Sequence, residues 1–404
     1  MSERVAVDRF RTRGQSAAVD AVAAMLGGGM PHALLLTGPP GVGKGTLADD
    51  IAAALLCRFD DPAGRPCRAC RGCRAVEHGN HPDLHRLGPT GPGLVIPIGG
   101  RDDRGVRDLV RDLALLPVEG GARVAIVRSA DRMTEDAQSA FLKTLEEPPD
   151  RTVLILTAAD EERLLPTIRS RCIAIRLGPL GRADVEGILL DAGLVDAPVA
   201  ARLSRLAAGR PGDAVALARS PDALTIRSEV GRTLLDLTRA TRADRLRIGR
   251  ELLARAGELG GSIRRAGTAG FQQDESSKPA GRGARPRKAA VAAATAPLAA
   301  VDADADAETA VPAVRVPAAE RRSAALTLVG VWRDVARDLA LVALGEQAGV
   351  HQLDLLDDLE AAAAHLSPAF AAAQLRRLDV AGERLEGNVS PELVIDALAL
   401  GWAA

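Results

Sequence analysis

Apolar residues come in short continuous runs in the first part of the chain and at helical spacing in the rest. Residues 17–26 have helical spacing and stop at Gly27, Gly28 and Gly29, whose backbone entropy ends a helix. The run ALLLT at 33–37 is closed by Gly38, Pro39, Pro40 and Gly41, which predicts a buried strand, and residues 47–56 return to helical spacing. RVAIV at 123–127 and TVLILT at 152–157 read as two further buried strands, with helices predicted at 106–116 and 134–145. Alternation of this kind, continuing to about residue 177, predicts a parallel sheet with helices on both faces. Short helices with Gly and Pro breaks are predicted over 182–218, and a third helical region starts near Pro221. It closes with helices at 324–344, 353–364, 368–386 and 391–402.

Residues 262–317 break the pattern. Arg264, Arg265, Lys278, Arg282, Arg285, Arg287 and Lys288 give way to an Ala/Pro tract and then to Asp302, Asp304, Asp306 and Glu308. Such blocks bury too little apolar surface to offset the entropy of ordering, so a disordered insert is expected, either a solvated linker or a basic tether for DNA.

Composition narrows the class. The 404 residues allow two to four domains, and 52 Lys plus Arg against 53 Asp plus Glu leave a net charge of -1. That balance argues against a protein that coats nucleic acid through overall basicity. Aromatics are 2% with no Tyr, so the cores rest on Ala, Leu and Val, and strand-rich sandwiches are disfavoured. The first ten residues hold no apolar run, so neither a signal peptide nor a membrane span is expected, and the expected location is cytoplasmic.

GPPGVGK at 38–44 fits the first seven positions of a phosphate-binding loop between a predicted strand and helix. Gly38, Gly41 and Gly43 let backbone N–H groups turn toward phosphate oxygens, and Lys44 supplies a charge to the terminal phosphates. The eighth position should carry a hydroxyl for magnesium but is Gly45, and Thr46 comes one residue late, about 100° around a helix. The strand RVAIV ends in Arg128 and Ser129 where a magnesium-holding carboxylate is needed, with Asp131 three residues beyond Arg128. ATP or ADP binding is therefore expected to survive, with weak magnesium binding and no intrinsic turnover.

Four of the five cysteines, Cys57, Cys67, Cys70 and Cys73, fall within seventeen positions. Four thiolates complete a tetrahedral zinc shell, and a closed shell is structural. An iron–sulfur cluster is the minor alternative. His78 and His81 lie close by but are not needed as ligands.

Together, Gly14 and Gln15, GPPGVGK, the four cysteines after the loop helix, AFLKTLEEPP at 140–149, SRC at 170–172 and Asn388 to Pro391 resemble the delta prime family of bacterial clamp-loader subunits, from Gly14 to Trp402. The resemblance implies an α/β AAA+ P-loop domain at 1–177 with a zinc module at 57–73. It also implies a small helical lid domain at 178–220 and a helical collar domain at 221–404, interrupted by the insert. It implies that Arg171 is an arginine finger acting in trans, the kind of always-charged guanidinium that stabilises γ-phosphate charge. Arg169 is a weaker substitute, and Cys172 reads as core.

The implied role is to help load a sliding clamp on primed DNA with gamma/tau motor subunits and a clamp-opening delta subunit, without contact with a membrane. Lys143 is a candidate phosphate contact. Gly45, Arg128 and Gly212, the last at the second sensor position, depart from the motor subunits. The first sensor also departs from the pattern, with Thr157 one residue early and Ala158 in the expected place. The alternatives are an active gamma/tau-type ATPase and a free-standing zinc-dependent DNA-binding module.

Overall fold

The computed structural model describes residues 7–90, 94–100, 104–119, 121–272, 316–387 and 389–402, with the backbone alone at 7 and over 266–272. The first part runs α1 (Ser16–Gly28), β1 (Ala33–Thr37), α2 (Lys44–Leu55), α3 (Arg71–Glu77), β2 (Leu84–Leu87), α4 (Val106–Leu113) and β3 (Arg123–Val127). It continues with α5 (Glu135–Glu146), β4 (Thr152–Ala158), α6 (Pro166–Arg169) and β5 (Ile173–Arg176). The strands form a parallel sheet in the order β2-β3-β4-β1-β5.

Successive strand residues face opposite sides, so a central strand buried on both must be apolar throughout. Leu34 and Leu36 meet Val19, Val22, Leu47 and Ile51 of α1 and α2 on one face. Leu35, with Ala125 and Leu154, meets Leu109 of α4 and Phe141 and Leu145 of α5 on the other. The edges are different. β2 was not anticipated from the sequence: only Leu84 and Leu87 of LHRL are buried, too short a pattern to stand out. β5 forms the other edge with three of its four residues exposed.

The helical part comprises α7 (Arg182–Asp191), α8 (Ala197–Ala207), α9 (Pro211–Ala218), α10 (Pro221–Asp236), α11 (Arg242–Gln272), α12 (Ala318–Ala343), α13 (Leu356–Ala363), α14 (Pro368–Glu386) and α15 (Pro391–Leu400). One continuous apolar cluster runs through it, from Leu180 to Trp402. Trp402 packs edge-to-face on Trp332, with ring centroids 5.2 Å apart, and donates its indole N–H to Leu234 O at 3.0 Å.

The insert expected at 262–317 is corrected at its start, because residues 262–272 continue α11. Leu252, Ala256 and Leu259 place an apolar stripe on the bundle and Ile263 extends it, so propagation adds a hydrogen bond per residue on a helix already docked. The rest of the insert, 273–315, lies outside the described residues, as does Asn388.

Polar contacts join the parts. Gly212 at the start of α9 donates its N–H to Gly41 O of the phosphate loop at 2.9 Å. Glu386 at the end of α14 receives Arg132 at 2.5 Å and Arg163 at 2.7 Å.

Candidate nucleotide loop and metal centre

The loop leaves β1 at its carboxyl end and enters α2 at Lys44. Gly38 has φ +137°, and a Cβ there would lie 2.0 Å from Leu177 O, so only glycine fits. Gly41 and Gly43 also have positive φ. The Lys44 ammonium donates to Gly38 O at 2.5 Å and Pro39 O at 2.7 Å, and burial lowers its pKa against the opposing charge of Asp131. Thr46 is exposed, and a Cβ on Gly45 would meet nothing within 4 Å.

Arg128, where a carboxylate would serve magnesium, pairs with Asp49 of α2 at 2.9 Å. Asp131 is the carboxylate nearest in chain order. It is 8% exposed, with Oδ2 accepting Asp160 N–H at 3.4 Å and Oδ1 unpartnered among the described residues. Thr157 Oγ1 accepts the Ser129 N–H at 3.0 Å, a use internal to the sheet, and Ala158 is buried at the end of β4. A cavity of about 410 Å³ beside Thr37, Gly38 and Pro39 is walled by Asp160, Glu161 and Glu162, with Arg176 paired to Glu161 at 2.7 Å. Those carboxylates would disfavour a polyphosphate placed in this cavity.

Gly212 packs closely on the loop: a Cβ there would lie 3.1 Å from Gly41 O, so a larger residue would push the N-terminal turn of α9 and the loop apart by a few tenths of an ångström.

Arg171 follows α6 and precedes β5. It pairs with Glu146 of α5 at 2.6 Å and donates to Thr167 O at 3.0 Å, and its side chain stays 35% exposed. In the parallel register Arg176 pairs with Thr37, immediately before the loop. Arg171 lies in the turn after α6, two residues before the amino end of β5. It therefore stands at the opposite end of the sheet from its own phosphate loop. Arg169 is half-buried. Cys172 packs against the core beneath α5, where burial raises its thiol to about 11, far from a reactive thiolate. Phe141 and Leu145 point inward from α5, Leu142 is half-buried, and Lys143, Glu146 and Glu147 are exposed.

The four cysteine sulfurs lie within 4.8 Å of one another. Cys57 Sγ is 3.9 Å from Cys70 Sγ, and Cys67 Sγ is 4.0 Å from Cys73 Sγ. Tetrahedral zinc with ~2.3 Å bonds needs sulfurs about 3.8 Å apart, so the residues fit the ion. Backbone N–H groups of Phe59 and Cys67 point at Cys57 Sγ at 3.5 and 3.4 Å, that of Cys70 at Cys67 Sγ at 3.3 Å, and that of Cys73 at Cys70 Sγ at 3.4 Å. Burial pushes the Cys57 and Cys73 thiols up, whereas at Cys70 burial is outweighed by N–H donors that bring the thiol down to about 6. Neither His78 nor His81 belongs to the cluster.

A residue missed from the sequence ties this module to the fold. Asp50 is 1% exposed, accepts Thr12 N–H at 2.9 Å and Thr12 Oγ1–H at 2.7 Å with one oxygen, and accepts Arg11 N–H at 3.1 Å with the other. Arg68, between Cys67 and Cys70, completes the shell. A buried carboxylate on a helix carries no sequence signal until its donors are brought together.

The β2-β3-β4-β1-β5 sheet, the phosphate loop after β1, the four-cysteine module after α2 and the helical C-terminal part define an AAA+ P-loop protein. A family model described as "DNA polymerase III, delta subunit" matches residues 14–181. The Pseudomonas aeruginosa DNA polymerase III subunit delta' is 40% identical over 182 residues, 45% of this chain and 53% of the relative. The Escherichia coli DNA polymerase III subunit tau is 32% identical over 195 residues, 47% of this chain and 29% of the relative. A RuvB structure from Thermotoga maritima aligns at a TM-score of 0.36 and 21% identity, over 56% of this chain and 67% of that one.

Over residues 14–181 the chain is similar to delta prime subunits of DNA polymerase III. It spans about half the length of this delta prime relative. The resemblance read from Gly14 to Trp402 is thus matched in its AAA+ part. No helix among the described residues is long and apolar enough to cross a membrane.

Proposed function

We propose that this chain is a clamp-loader subunit that completes an AAA+ ring, donates Arg171 to a neighbour's nucleotide and does not itself turn over ATP while a sliding clamp is loaded on primed DNA. The observation that carries the reading is the place of Arg171, partly exposed beside the open β5 edge and at the far end of the sheet from its own loop. A guanidinium held there acts on phosphate only in trans. Gly45, the Arg128–Asp49 pair and the acidic wall at 160–162 support the lack of turnover, since each removes a magnesium contact or disfavours the polyphosphate. Lys44 and the loop glycines would hold ATP or ADP without strong magnesium binding. Cys57, Cys67, Cys70 and Cys73 would hold zinc, which supplies a cross-link and no chemistry. The partners of this reading are gamma/tau-type motor subunits, a clamp-opening delta subunit, the sliding clamp and primer-template DNA, in the cytoplasm. Its domain plan is the AAA+ part to 177, the lid at 178–220 and the collar from 221.

One observation favours a second reading as a gamma/tau-type ATPase: Asp131 is buried, keeps a free oxygen and lies close enough to Lys44 for their charges to interact. Steady-state ATP hydrolysis separates the two. A silent isolated chain whose Arg171→Ala form lowers the turnover of a reconstituted complex, by silencing the one site that Arg171 serves, is the expected outcome. Robust turnover by the isolated chain, abolished by Asp131→Asn, establishes the second reading instead.

A further inference from the structure

The zinc module carries a second feature that neither metal binding nor the ring role uses. Beyond α3 lies a cavity of about 300 Å³ lined by Arg71, Arg74, His78, Asn80, His81 and Glu119, among others. His81 is its innermost polar group, with its side chain 2% exposed. Its Nδ1 accepts the Asp83 N–H at 3.1 Å, which puts the proton of the neutral ring on Nε2. Nε2 has no hydrogen-bond partner among the described residues, and Glu119 Oε2 at 3.6 Å is beyond hydrogen-bond range. A buried, unpartnered donor on a residue that lines a polar cavity asks for an acceptor.

The charges around it fix the sign of that acceptor. Arg71 and Arg74 show no ion pair or side-chain hydrogen bond among the described residues, whereas Glu119, the cavity's one carboxylate, is engaged by Arg58 at 2.5 Å. Asp83 holds the N–H groups of Val118 and Glu119 at 2.6 and 3.0 Å, so the wall opposite α3 is fixed in place. Donors thus converge from α3 on one side and from the 80–81 turn on another. Donors at differing angles suit a tetrahedral oxyanion better than a planar carboxylate, which prefers a two-pronged fork.

We propose that this cavity is a phosphate-binding site, with His81 Nε2–H as the inner donor and Arg71 and Arg74 as the charged rim. It is separate from the nucleotide loop, because it opens beside α3 on the metal module and shares no lining residue with the cavity at Gly38.

With six His in the chain, ¹⁵N-histidine labelling gives a readable spectrum of the zinc-loaded full-length protein. Inorganic phosphate should shift the His81 Nε2 resonance saturably. In the Arg71→Gln/Arg74→Gln double variant, whose substitutions are on exposed positions, the midpoint should move at least tenfold higher with zinc content and melting temperature unchanged. A thymidine oligonucleotide distinguishes the source: tighter binding than free phosphate assigns the site to a nucleic-acid backbone, and weaker binding assigns it to a free phosphate group. An unmoved His81 resonance at millimolar phosphate overturns the site and leaves a water as the acceptor. An equal response to acetate overturns the phosphate class, and an equal response in the double variant overturns the rim. None of these outcomes depends on Arg171 or on ATP turnover.

Discussion

At Gly45 a single missing side chain decides how much of the nucleotide chemistry survives. The space around it is open, so Gly45→Thr should be accommodated and should place a hydroxyl at the eighth loop position. Magnesium–nucleotide affinity is expected to rise about tenfold by calorimetry, the worth of one added metal contact of ~1.4 kcal/mol. Hydrolysis should stay at background, because Arg128 still stands where a carboxylate is needed. Gly212 does not offer the same opening. Its Cβ position touches the loop backbone, so Gly212→Ala should lose about 1–2 kcal/mol in urea unfolding by prising α9 from Gly41. The two glycines look alike in sequence and differ because one faces space and the other faces a carbonyl.

Between elements, the Asp50 cluster is the join on which the metal module hangs. Asp50→Ala strands the N–H groups of Arg11 and Thr12 and the Arg68 guanidinium, a loss on the order of 3 kcal/mol. Urea unfolding should report that loss, and metal analysis should show about one zinc in the wild type and faster release to a chelator in the variant. A metal-free, well-folded wild-type preparation would overturn the tetrathiolate site.

The central strands and their flanking helices were legible because burial on both faces writes an unbroken apolar run, as in ALLLT and TVLILT. β2 was not, because an edge strand needs only two buried residues and Leu84 and Leu87 are too few to stand out. The end of α11 was misread for a related reason: Arg264 and Arg265 draw the eye, while Ile263, one residue earlier, keeps the helix on the bundle. In the candidate site, the loop and the cysteines announced themselves by spacing. Asp50, Asp160 and Glu386 did not, since their roles arise from distant residues that meet only on folding.

Across the molecule, buried histidines set the acid limit. Burial lowers the pKa of His81, His85 and His351, aided at His351 by Arg337 against its ring. Each therefore favours folding in its neutral form. Its contribution is complete above the unfolded value of about 6.5 and is lost as pH falls below that value toward the folded one. The melting temperature should be lower at pH 5.5 than at pH 7.5, and an unchanged melting temperature would show that these rings are solvated.

The tryptophan pair gives the molecule an uneven optical signature. The chain has two Trp and no Tyr, and both indoles lie in one contact among α10, α12 and the C-terminal end. Emission excited at 295 nm reports the helical half alone, while the sheet, the phosphate loop and the metal module are dark. A fluorescence melt thus follows the helical half and a circular-dichroism melt the whole chain, so a gap between their midpoints indicates that the two halves unfold separately.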